Sequence, residues 1–169
     1  GLRDILAADL NQDGHSDIAA VTDLTDQVII WLGLGGGAFG EPTPMQADRS
    51  PVALAAGDIN GDGWADLLSA NSGGMSISLF LGNAGGFAAA THIRAGQSPS
   101  ALCIADLNGD GWPDVVVGDG EKSRVAVLLG DGRGGLAVAK KHAVGDAPGA
   151  VRMEDMDGDG WPDLLVVNS

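Results

Sequence analysis

One nine-residue pattern, Asp-x-Asn/Asp-x-Asp-Gly-x-x-Asp, occurs four times, at residues 9–17, 58–66, 106–114 and 155–163. Oxygen-bearing side chains at alternate positions of a tight loop suit a hard cation. Ca²⁺ takes roughly six to eight oxygens at about 2.3–2.6 Å. Positions one, three and five can each turn an oxygen inward. Glycine at position six permits the sharp bend, because it has no Cβ. A backbone carbonyl at position seven and an aspartate at position nine can complete the cage. The second copy would then use Asp58, Asn60, Asp62, the Trp64 carbonyl and Asp66. Mg²⁺ fits less well, since it requires a tighter octahedron and retains its waters. Zinc or copper would call for His or Cys, and neither recurs in the loops.

An ion-free Asx turn explains one such loop, because Asn, Asp and Gly favour turns. Four copies with three or four carboxylates each would repel themselves without a cation. Helix–loop–helix calcium sites, EF-hand and dockerin alike, need an acid at position twelve. That position holds Ala20, Ser69, Val117 and Val166, so those readings fail.

The loops begin at Asp9, Asp58, Asp106 and Asp155, at steps of 49, 48 and 49 residues. Such regularity marks a repeat architecture. Apolar runs precede the loops (5–8, 52–56, 101–105, 150–153) and follow them (18–21, 67–70, 115–118, 164–167). A third run ends in Leu-Gly (28–33, 76–82, 125–130), and a glycine-rich turn follows it. A more polar fourth segment closes the unit near 43–48, 89–95 and 137–144. No run has helical length or period. Four strand-length runs in about 50 residues match a β-propeller blade. The fold expected is all-β, with blades of four antiparallel strands. The fourth run carries Gln46, Asp48, His92, Arg94, Lys140, Lys141 and His142, which suits a water-facing outer strand.

Composition narrows the function. The net charge of −14 excludes a basic nucleic-acid-binding surface. Thirteen of the 23 acidic residues lie in the four loops, and four divalent ions would bring −14 to −6. No apolar stretch reaches the roughly 18 residues of a membrane span. The single cysteine, Cys103, cannot form an internal disulfide and reads as a small buried hydrophobe.

The four loops and the Leu-Gly…Gly-Gly-Phe segments, such as 32–39 and 81–87, resemble the FG-GAP or VCBS repeats of integrin-α-type β-propellers. The resemblance covers essentially the whole chain. It implies that each loop joins the first two strands of a blade and holds Ca²⁺, about four ions in all. In the first copy it implies the ligands Asp9, Asn11, Asp13, His15 (carbonyl) and Asp17. In the third they are Asp106, Asn108, Asp110, Trp112 (carbonyl) and Asp114. In the fourth they are Asp155, Asp157, Asp159, Trp161 (carbonyl) and Asp163. The chain reads as one propeller over 1–169, with blades at about 1–49, 50–98 and 99–147 and half a blade at 148–169. Propellers close with about four to eight blades. A fragment of a roughly seven-bladed ring is therefore expected; self-assembly through open blade ends is the alternative.

The expected function is a calcium-stabilised, non-enzymatic binding module at a secreted, periplasmic or cell-surface location. The resemblance implies protein or glycan partners on the face opposite the loops. A lectin with sugar pockets between blades is one alternative, and the non-catalytic part of a propeller polysaccharide lyase is another. No catalytic cluster is expected: His92 and His142 lack a recurring acid or nucleophile, and no serine lies in a nucleophile elbow. Trp64, Trp112 and Trp161 share position seven and are expected to pack beside the loops rather than form a ring for ligand stacking.

Overall fold

The computed structural model describes all 169 residues. The chain is all-β. Strands β1 (Leu2–Ala8), β2 (Asp17–Thr22), β3 (Gln27–Trp31) and β4 (Thr43–Gln46) form the first antiparallel sheet, in that order. Next come β5 (Pro51–Gly57), β6 (Asp66–Asn71), β7 (Ser76–Phe80), the short ribbon β8 (Gly82–Asn83) with β9 (Gly86–Phe87), and β10 (Thr91–Arg94). The second sheet runs β5-β6-β7-β10, the ribbon lying outside it. The third consists of β11 (Pro99–Ala105), β12 (Asp114–Asp119), β13 (Arg124–Gly130) and β14 (Leu136–Ala143). Strands β15 (Pro148–Glu154) and β16 (Asp163–Asn168) pair as a two-stranded sheet. No helix is long and apolar enough to cross a membrane.

The sheets stack as successive propeller blades. Contacts link β1 to β5, β5 to β11 and β11 to β15, so the first strand of each blade lies innermost. These four strands line one cavity of about 510 Å³ along the common axis. Cys103 sits on its wall, and burial pushes the thiol up to about 11.

The core lies between sheets, and the two-residue period of the strands divides it. On β6, Leu67 packs with Phe80 against Val21, Val28 and Ile30 of the first blade. Its neighbours Leu68 and Ala70 turn the other way, against Leu102, Val115 and Val117 of the third. The near-continuous apolar runs follow from this: an inner blade strand is covered on both faces. The outer strands follow the polar expectation, and β14 is exposed from Ala137 to Ala143.

One residue departs from it. Asp48 lies beyond β4, half-buried, and accepts the Ser76 hydroxyl at 2.7 Å. It belongs to a polar network between the first two blades that the repeat pattern does not predict. Ser69, Asn71 and Ser78 are fully buried. Asn71 Nδ2 donates to Ser76 Oγ at 3.1 Å and to Ser78 Oγ at 2.9 Å, while Ser69 Oγ donates to Asn71 Oδ1 at 2.9 Å. Ser78 Oγ also accepts the Asp48 N–H at 3.1 Å. Two accepted bonds fill the hydroxyl's lone pairs. Its own proton therefore goes to His92 Nδ1, 3.0 Å away. The Ser76 hydroxyl is the main cause holding the Asp48 carboxyl below its usual range.

Two outcomes follow. Ser78→Ala leaves Asn71, Asp48 and His92 each short of a partner and should cost about 1–3 kcal/mol in urea unfolding. Unchanged stability would contradict the network. The raised thiol should make Cys103 alkylate slowly at pH 8 in the folded protein and rapidly in urea, as read by mass spectrometry.

Candidate metal centres

Each acidic loop connects the first and second strands of its blade, and all four lie at the same end of the stack. Local hydrogen bonds shape them alike. At position one, Asp58 Oδ1 accepts the Asp62 N–H at 3.1 Å and Oδ2 accepts the Gly63 N–H at 2.9 Å. Asp9 receives the matching pair from Asp13 and Gly14. Asp106 accepts from Gly109 and Gly111, and Asp155 from Gly158 and Gly160. At position three, Asn11, Asn60 and Asn108 each accept the position-five N–H and return an amide proton to the carboxylate of Asp13, Asp62 or Asp110. That bond to Asn11 is the main reason the exposed Asp13 carboxyl lies below its usual range. At position five, Asp13, Asp62, Asp110 and Asp159 accept the N–H of His15, Trp64, Trp112 and Trp161 at 2.8–2.9 Å. Position six is left-handed throughout, with φ of 84°, 89°, 86° and 89° at Gly14, Gly63, Gly111 and Gly160. A side chain there would be strained.

Positions one, three and five thus converge on the open side of the loop. In the fourth copy Asp155, Asp157 and Asp159 bring one oxygen each within 4.8 Å of one another. Asp157 replaces the asparagine of the other copies, so that cluster lacks the bridging amide and holds three adjacent carboxylates. Such a donor set fits a hard dication.

Position nine behaves differently. Asp17, Asp66 and Asp114 are fully buried, beneath the loop rather than in its mouth. Asp66 Oδ2 accepts the Ile59 N–H and Oδ1 accepts the Gly82 N–H, both at 2.8 Å. Asp17 joins Leu10 to Gly33, and Asp114 joins Leu107 to Gly130. Asp163 keeps the first of these bonds, from Met156 at 3.0 Å. Asp17, Asp66 and Asp114 therefore each tie their loop to the Leu-Gly at the end of the third strand. A carboxylate has about four acceptor sites, so each keeps some free for a cation. Asp163 nevertheless stands outside the Asp155–Asp157–Asp159 group. Burial pushes the Asp66 carboxyl up, with further upward pushes from the charges of Asp62 and Asp58. A dication between those two aspartates would oppose that repulsion.

The glycines that donate these bonds were legible in the sequence only as part of a Leu-Gly motif. Their function is close approach. A Cβ at Gly33, Gly82 or Gly130 would stand 2.4, 2.2 or 2.2 Å from the carbonyl oxygen of Ser16, Ala65 or Pro113. No side chain fits there.

These are β-propeller blades carrying an acidic, cation-competent loop between their first two strands. A family profile described as FG-GAP-like repeat matches residues 9–69, 58–117 and 106–166, and the chain belongs to that family. No curated protein sequence matches it. Among solved structures it resembles BBS1N in complex with ARL6DN, with TM-score 0.65 and 14% identity over 97% of this chain and 46% of that one. It resembles the V. cholerae biofilm matrix protein Bap1 with TM-score 0.60 and 24% identity over 96% of this chain and 23% of that one. A functionally unknown protein from Desulfotomaculum acetoxidans DSM 771 gives TM-score 0.53 and 10% identity, over 99% and 63%. At these identities the likeness is one of fold. The chain spans less than two thirds of each of these structures.

The two carboxylate roles separate by experiment. In calcium-free buffer Asp66→Ala should cost about 3 kcal/mol or more, because two buried N–H groups lose a charged acceptor. Asp58 is half-buried and its two N–H donors belong to the exposed loop, so Asp58→Ala should cost only about 1 kcal/mol there. Urea unfolding in EGTA reads both, and equal effects would contradict the division.

Proposed function

We propose that this chain is a calcium-stabilised, non-enzymatic β-propeller binding module with one Ca²⁺ in each acidic loop. The observation that carries the reading is the convergence of Asp155, Asp157 and Asp159 in a loop whose backbone pattern recurs in the other three. The ligand set is positions one, three, five and nine with the position-seven carbonyl. In the first loop these are Asp9, Asn11, Asp13, His15 and Asp17, and the other three follow the same register. Calcium here is structural: it screens clustered carboxylates and ties the first two strands of a blade together. Millimolar calcium fills even weak sites, which fits a secreted, periplasmic or cell-surface location.

The partner surface in this reading is the face opposite the loops. There the connections 22–27, 71–76 and 119–124 differ in sequence between blades while their backbones are tied alike. Ala47, Ala95 and Val144 donate to the carbonyls of Asp26, Met75 and Ser123. A uniform scaffold bearing unlike side chains suits recognition of a protein or a glycan.

A specific observation favours the glycan for one further position. A cleft of about 530 Å³ between the first two blades has Trp64 and Phe87 in its walls, with Asn83 and Thr43 beside them. An aromatic face with nearby amide and hydroxyl groups suits a pyranose ring. A series of equivalent sugar pockets has less support, because Trp112 packs against Gly61 and Gly132 at the next interface. The lyase alternative gains nothing from the one cluster that breaks the repeat, since the Ser78 hydroxyl is fully buried.

Native mass spectrometry should find four calcium ions per chain, and EGTA should lower the melting temperature. At a hundredfold excess over Kd each site adds about 2.7 kcal/mol. A melt and a mass both indifferent to EGTA would overturn the reading.

A further inference from the structure

The loops are not isolated from one another. Trp112 occupies position seven of the third loop, yet its indole lies against the second: a Cβ at Gly61 would stand 2.8 Å from Trp112 Cζ3. Gly61 is position four of that loop, between Asn60 and Asp62. The same step recurs one blade on. A Cβ at Gly109, position four of the third loop, would stand 2.9 Å from Trp161 Cζ3 and Cη2. In the first loop position four is Gln12, and its amide instead donates to the carbonyl of Gly63 in the second loop. Every adjacent pair of loops is therefore joined by a direct contact. Trp112 is 43% and Trp161 56% exposed, so these rings are not core residues that meet a loop incidentally.

The backbone that carries each indole is held by its own loop. The main-chain N–H of Trp112 donates to Asp110 at 2.9 Å, and that of Trp161 donates to Asp159 at 2.8 Å. Closing the third loop around an ion fixes the backbone at residue 112 and so the direction of its ring. The ring then restricts Gly61, a left-handed residue (φ 72°) flanked by two ligands of the second loop. Ordering one loop lowers the cost of ordering the next, which is positive coupling through pre-organisation.

We propose that the calcium loops act as a coupled series, in which the position-seven tryptophan of one blade transmits occupancy to the loop of the preceding blade. The coupling rests on the calcium reading above. By linkage it is reciprocal: filling the second loop tightens the third by the same factor.

The test is a calcium titration followed by NMR, using the amides of Gly14, Gly63, Gly111 and Gly160 as one reporter per loop. Trp112→Ala keeps every backbone and side-chain ligand of the second loop. It should raise the Gly63 midpoint about fivefold or more, a coupling of ordinary size, and leave Gly14 near its wild-type value. Because the coupling is reciprocal, the same variant should also move Gly111, and Trp161→Ala should move Gly111 and Gly160 and shift Gly63 less. Trp112→Phe lacks the ring that carries Cζ3 and should reproduce the Gly63 shift if the alanine variant fails to fold. The proposal is overturned if Gly63 is unmoved in the Trp112 variants, or if all four reporters shift together in both tryptophan series. Wild-type reporters that ignore calcium altogether would remove the calcium reading itself, and the coupling with it.

Discussion

At the base of the first three acidic loops a buried carboxylate accepts two backbone N–H groups, one from its own loop and one from the end of the third strand. Asp17, Asp66 and Asp114 all do this. Without that acceptor, two donors at the blade's edge would be buried and unsatisfied. With it, three strands and the loop are held in one geometry. The position-one, three and five oxygens can then face outward as a cage, because the loop beneath them has its own acceptor. Within one motif the buried aspartate holds the two backbone donors, while the others present oxygens that suit a hard dication.

The same constraint explains two sequence features that look unrelated. Leu-Gly recurs because the glycine must approach both the aspartate and the carbonyl before it, within a space that admits no Cβ. Small or flat residues recur around the loops because neighbouring blades meet there, with Trp112 and Trp161 resting on glycines of the preceding loop. The acidic end of the stack is continuous, and its loops share walls. The opposite end has uniform backbone ties and varied side chains.

Much of this architecture was legible in the chain. The nine-residue loop, its period near 49 and the apolar runs around it determined the blade class, the strands and the place of each loop, because these are local patterns with period-two burial. The Trp residues beside the loops were legible as packing groups, though not which loop they would touch. What could not be read was anything that depends on two blades meeting. Asp48 looked like an outer-strand charge, but β4 ends before it, and Ser76 and Ser78 of the next blade take it up. His92 looked unpartnered and bonds Ser78. Those partners lie 14 to 30 residues away and share no motif.

By itself, then, the sequence determined local chemistry: oxygen donors at alternate loop positions, a left-handed glycine at the bend and strands apolar on both faces. Spacing along one chain suffices for these, since the groups involved are neighbours. Tertiary structure alone decided which aspartate lies under the loop and which in its mouth. It also seated the indoles of Trp112 and Trp161 on a glycine of the preceding blade and buried a chain of hydroxyls between the first two sheets. Those outcomes depend on how close two backbones come, and that distance is set only when the blades pack.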